Sequence, residues 1–83
     1  MFMYTIQQSE NIRKNLKYLR MKHGLTMKQL SDKIGLSRSV IGYYESYGSI
    51  SSWRLKIFCD FYNVEESLIL MKHEIFIKEL EAD

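Results

Sequence analysis

Arg38, Ser39, Tyr43 and Ser46 fall on one side of a helical repeat, while Ile41 and Tyr44 point the other way at a spacing of three. Their chemistry suits the edge of a base pair. A guanidinium at position 38 can donate twice to guanine O6 and N7, and the Ser39 hydroxyl can bond a base or a phosphate. The Tyr43 ring can meet a thymine methyl while its hydroxyl reaches a phosphate. Val40 lies between the two sides, where it serves either a thymine methyl or the rim of a core. Asp and Glu are absent from the outward positions of this stretch, so nothing on it repels a polyanion.

Such a face works only if it is carried on a sharply turned helix, and residues 25–45, LTMKQLSDKIGLSRSVIGYYE, write one. Thr26 and Gln29 have the spacing of a capping box, which opens a first short helix. Leu30 and Ile34 make its apolar stripe, one turn apart. Gly35 supplies a left-handed residue to end it, and Ser37 is a good N-cap for a second helix from about Arg38. Two short amphipathic helices about a glycine turn form a helix-turn-helix, whose second helix enters a DNA major groove. Gly42 sits inside that helix, where glycine costs roughly 1 kcal/mol relative to alanine. Close approach to DNA or to the facing helix would account for it, as would simple tolerance.

The chain has 83 residues, room for one domain with a small core. Its charge is divided unevenly. Residues 1–56 carry +7 and residues 57–83 carry −5, so the half holding the turn is basic, as a phosphate-facing surface should be. Lys14, Lys17, Lys28, Lys33, Arg54 and Lys56 are the candidates for phosphate contacts. A single cysteine, Cys59, rules out an internal disulfide and reads as a small buried hydrophobe. His23 and His73 lack partners at metal-ligand spacing, so neither metal nor cofactor is expected. No nucleophile–base constellation, carboxylate pair or glycine-rich phosphate loop suggests an enzyme. With no long apolar run for a signal or a membrane span, a cytoplasmic protein is expected.

The rest of the chain reads as further helices. From Ser9 or Glu10 to about Lys22 the chain places Ile12, Leu16 and Leu19 on one stripe, with His23-Gly24 ending the first helix. Residues 47–51 read as a loop, after which Ser51 or Ser52 caps a fourth helix with Leu55, Phe58, Cys59 and Tyr62 inward. The Trp, Tyr and Phe residues here recur at helical spacing and are expected in the core, not on a stacking platform. Asn63 breaks the run, and a short fifth helix extends from Val64 to about Met71 with Leu68 inward. The termini are open. MFMYTI at the start and HEIFIKEL at 73–80 each alternate or concentrate β-formers and could pair as strands, a reading slightly favoured here over continuation of a helix through Leu68, Met71, Ile75 and Leu80. Apolar ends of this kind would suit a dimer contact.

The run Asn15-Leu16-Lys17-Tyr18-Leu19-Arg20, then Gly24-Leu25-Thr26, Leu30-Ser31, Ile34-Gly35-Leu36-Ser37, Ile41, Glu45, Leu55, Phe58-Cys59, Tyr62 and Val64 resembles the Cro/repressor-type helix-turn-helix domain of phage repressors, Cro proteins and bacterial regulators. The similarity spans about residues 12–70. It implies an all-α, five-helix, lambda-repressor-like fold that binds a palindromic DNA operator as a homodimer. It places Arg38, Ser39 and Tyr43 at base-reading positions, with Val40 beside them, and Thr26, Met27, Lys28 and Ser46 near the backbone, where Ser37 and Lys17 are also expected. Two departures stand out: Met27 replaces a common phosphate-binding glutamine, and the glycine after Glu45 comes one place late with no following proline. The expected organisation is an N-terminal extension at 1–9, the DNA-binding domain at 10–70, and a C-terminal extension at 71–83 for dimerisation or a protein partner. A transcriptional repressor from a phage or mobile element is the leading expectation; the alternative is an antirepressor or antitoxin that uses the same fold to bind protein.

Overall fold

The computed structural model describes residues 4–82. In chain order the helices are α1 (Ile6–Lys22), α2 (Met27–Ile34), α3 (Arg38–Tyr47), α4 (Ser52–Tyr62), α5 (Glu66–Ile69) and α6 (His73–Glu81), and no strand occurs among the described residues. The all-α expectation holds, with one helix more than the five anticipated.

Local chemistry sets most boundaries. Thr26 and Gln29 form the expected capping box at α2, Ser37 caps α3 and Ser51 caps α4. α1 starts three to four residues before the expected point, because Thr5 and Gln8 make a second capping box. That box also replaces the N-terminal strand: Thr5 is a cap and Ile6 opens the helix, while residues 1–3 lie outside the described region. Asn63 ends α4 at a φ of 56°, in the left-handed region that asparagine tolerates. The fifth helix is shorter than expected, and Ile69, not Leu68, is its fully buried residue.

One core joins all six helices. Ile12, Leu16 and Leu19 of α1 meet Leu30, Ile41, Leu55, Phe58 and Ile69, each 0 or 1% exposed. Phe76 completes that cluster, and it belongs to the segment favoured as a strand. Helical geometry wins there because it sends Phe76 into the core with Leu80 packed behind it, one turn on. A strand would send neighbouring Ile75 and Ile77 to the opposite side from Phe76.

α6 is tied to α1 by polar contacts as well. Asn15, fully buried, donates from Nδ2 to the carbonyls of Ile69 (2.8 Å) and Met71 (2.9 Å), and Asn11 donates to Leu70 (2.9 Å). These bonds hold the α5–α6 connection onto α1. The aromatic expectation needs one correction: Phe58 and Tyr62 are core, but Trp53 is 66% exposed and Phe61 sits at the surface. Trp53 precedes the inward Leu55 by two positions, about 200° around the helix, so it points away from the core.

Candidate nucleic-acid interface

α2 and α3 are set at a fixed angle by three features. Gly35 adopts a φ of 77°, which turns the chain between them within a few residues. Leu30 and Ile41, both fully buried, anchor the two helices to the same core. Met27 of α2 lies against Gly42 of α3, its sulfur 3.7 Å from where a Cβ would stand. That is ordinary van der Waals spacing, so the packing against α2 does not itself require glycine at 42. Position 27, where the resemblance leads to the expectation of a glutamine, is filled by a half-buried thioether that contributes packing.

The orientation of α3 rests on a buried ion pair. Arg20 of α1 donates from Nε to Glu45 Oε2 at 2.8 Å and from NH2 to Oε1 at 3.0 Å, and its NH1 reaches the Leu25 carbonyl at 2.8 Å. The Glu45 side chain is 4% exposed and that of Arg20 is 12% exposed. One guanidinium thus joins the last turn of α3 to the end of α1 and to the α1–α2 connection. The hydrogen bond to Glu45 raises the Arg20 pKa above the usual arginine value. This pair is 25 positions apart in the chain, and nothing local marks it. A further tie runs from Arg54 NH1 of α4 to the Tyr44 hydroxyl at 2.8 Å.

With its inner side so held, α3 turns Arg38, Ser39, Tyr43 and Ser46 outward, all exposed. Val40 is half-buried at the rim of the core. Tyr47, expected in the loop, is instead the last residue of α3, is 65% exposed, and brings its ring to 5.0 Å from that of Tyr43. The late glycine explains the added residue: Gly48, at φ 65°, caps α3 one place further on, so the outward face ends in an aromatic ridge. Exposed Trp53, stacked under the Arg54 guanidinium at 5.3 Å, lies at the start of α4.

The expected backbone residues divide into two groups. Thr26 and Ser37 stand at the N-termini of α2 and α3; each hydroxyl oxygen accepts from a helix amide, at 3.1 and 3.2 Å, and each keeps its own hydrogen to donate. Lys28 is exposed on α2 and paired with Asp32 at 3.2 Å, an open i,i+4 contact that holds it weakly. Lys17 is not grouped with these. It lines a groove on α1 together with Arg13, Lys14, Tyr18, Met21 and His73.

Cys59 and the two histidines are held in place by burial or by hydrogen bonds within the fold. Burial pushes the Cys59 thiol up to about 11, which keeps it protonated and packed as an apolar residue. His23 bonds the Leu19 carbonyl at 2.8 Å, and His73 bonds Asn15. No three metal-ligating side chains converge among the described residues, and no described helix is long and apolar enough to cross a membrane.

A capped, glycine-turned helix pair locked to α1, with the second helix showing a polar and cationic outer side, defines a helix-turn-helix DNA-binding domain. The helix-turn-helix family model of Cro/C1 type matches residues 16–69, well over half the chain, and the chain belongs to that family. It is therefore a DNA-binding regulatory domain in the general sense of that family. No curated protein and no solved structure matches it significantly.

Proposed function

We propose that this chain is a small cytoplasmic transcriptional repressor of phage or Cro type, which binds a two-fold operator as a homodimer with α3 in the major groove. The observation that carries the reading is the outward face of α3. Arg38, Ser39 and Tyr43 are exposed, and the C-terminal helix, which had the opportunity to cover them, packs on α1 and α5 instead. In this arrangement Arg38, at the first turn, reads guanine; Ser39 and Tyr43 read or buttress the neighbouring pairs; and Val40 contributes at most an apolar edge. Thr26, Ser37, Lys28 and Ser46 fix the register on the phosphates without specifying sequence. Regulation follows from occupancy, and two copies would span half-sites about 34–36 Å apart.

The test is selection of bound duplexes from a random pool at two salt concentrations. Enrichment of a two-fold motif that persists at the higher salt supports the proposal. A pool that stays random at both concentrations refutes it and leaves a protein-binding module of the same fold.

A further inference from the structure

A groove lined from α1 and α6 is independent of the α2 and α3 side chains. Along α1, where α6 leans on it, Arg13, Lys14, Lys17, Tyr18, Met21 and His73 line a groove with a volume of about 380 Å³. That is within the range of small-ligand sites. Its charge is only partly balanced: Arg13 donates to Glu10 at 2.8 Å and Lys14 shares the same carboxylate at 3.6 Å, while Lys17 has no ion-pair partner among the described residues. Glu81 is engaged by the Tyr18 hydroxyl and by Lys22 at 3.3 Å.

One member of the groove is rigidly placed. Asn15 uses both amide hydrogens on the Ile69 and Met71 carbonyls, so its oxygen faces His73 Nδ1, 2.7 Å away, and that nitrogen must carry the proton. The imidazole is further fixed by an edge contact with the Tyr18 ring at 5.6 Å and by stacking with Phe76 at 6.3 Å. Nε2 is its remaining polar atom. A fully buried asparagine is thus committed to orienting a histidine in an open cationic groove.

We propose that this groove is a phosphoryl-binding site. The Arg13 fork is occupied by Glu10, so two-point recognition of a planar carboxylate is not on offer. What remains is a set of single-point groups, the Lys14 and Lys17 ammoniums one helical turn apart and His73 Nε2, which suits the three oxygens and the higher charge of a phosphate. Nε2 accepts from a P–OH group or, as imidazolium, donates to a P–O⁻. The Tyr18 ring and the 62% exposed Met21 offer apolar contact to the body of an ester. The same chemistry can be presented by a small phosphate ester or by the backbone of a duplex flanking the α3 site. Only the second source rests on the DNA reading.

Amide and side-chain NMR of the full chain, titrated with inorganic phosphate and with adenosine 5′-monophosphate against sodium chloride of equal ionic strength, tests the first source. The expected result is saturable shifts confined to residues 13–21 and 73, with affinity at least about tenfold weaker in the Lys14→Gln/Lys17→Gln double variant. Duplex binding tests the second: Lys17→Gln should lower the slope of log affinity against log salt by about 0.9. Either result supports the site and names its source. The proposal is overturned if neither appears, or if shifts spread over all lysines and chloride reproduces them. A chain that ignores duplexes yet shows the localised phosphate shifts retains this site while losing the DNA reading.

Discussion

Replacing Arg20 with alanine tests the physical frame that presents α3. The substitution removes two hydrogen bonds to Glu45 and one to the Leu25 carbonyl, and leaves a carboxylate whose side chain is 4% exposed facing the emptied space. Breaking a buried pair from one side costs about 3–5 kcal/mol, because the surviving charge is neither paired nor hydrated. A domain of this size has roughly 4–12 kcal/mol of total stability. The loss would therefore be a quarter or more of the whole, and each kcal/mol lowers the melting temperature by roughly 4–8 °C. Urea unfolding followed by circular dichroism at pH 7 measures it directly. The Arg20→Met/Glu45→Leu double variant removes both charges together and should recover most of the deficit, since apolar replacement of a buried pair is often neutral. Loss of under about 1 kcal/mol in Arg20→Ala, or a double variant worse than either single change, would refute the reasoning.

Other expectations follow from individual contacts. Phe76→Ala should cost about 3–5 kcal/mol by urea titration, as a fully buried core residue would, whereas a peripheral tail would lose little. Gly48→Ala should be strongly destabilising in the same assay, because its Cβ would stand 1.9 Å from the Ser9 carbonyl oxygen at a φ of 65°. Gly42→Ala should instead stabilise by up to about 1 kcal/mol, with only an ordinary contact to Met27 to accommodate. Glu81 has its pKa lowered by the Tyr18 hydroxyl and then by Lys22, so its contribution is present above the ordinary carboxylate pKa and fades as pH falls through the lowered value. The Tyr18 ring signals should shift over that acid range in a proton NMR titration, and in Glu81→Gln they should not.

What the sequence made legible was whatever is local. The Thr26–Gln29 box, Gly35, the Ser37 cap and the inward Ile12, Leu16, Leu19, Leu55 and Phe58 depend on spacings of two to four residues, and the structure reproduces them. Thr5 and Gln8 carry the same local signal as Thr26 and Gln29, but in the sequence it competes with the strand-like alternation of Phe2, Tyr4 and Ile6. For HEIFIKEL, β-propensity and helical packing competed, and the place open to Phe76 in the core decided the outcome. The Arg20–Glu45 pair and the Asn15–His73 contact span 25 and 58 positions, and only the fold brings them together. On the candidate interface, the outward direction of Arg38, Ser39, Tyr43 and Ser46 was readable from helical phase. The extension of α3 by one residue to Tyr47 was not, because a Tyr-Gly-Ser run has the composition of a loop as well as that of a glycine-capped helix end.

The central claim, that the exposed side of α3 reads duplex DNA, is tested most directly by comparing the chain with its Arg38→Ala variant on the duplex that selection yields and on single-base changes of it. The account predicts a loss of about 1–3 kcal/mol on the selected duplex and a relaxed preference at one base-pair position, with the others unchanged. An equal loss on every duplex would make Arg38 a backbone contact, and no loss on any would remove α3 from the interface.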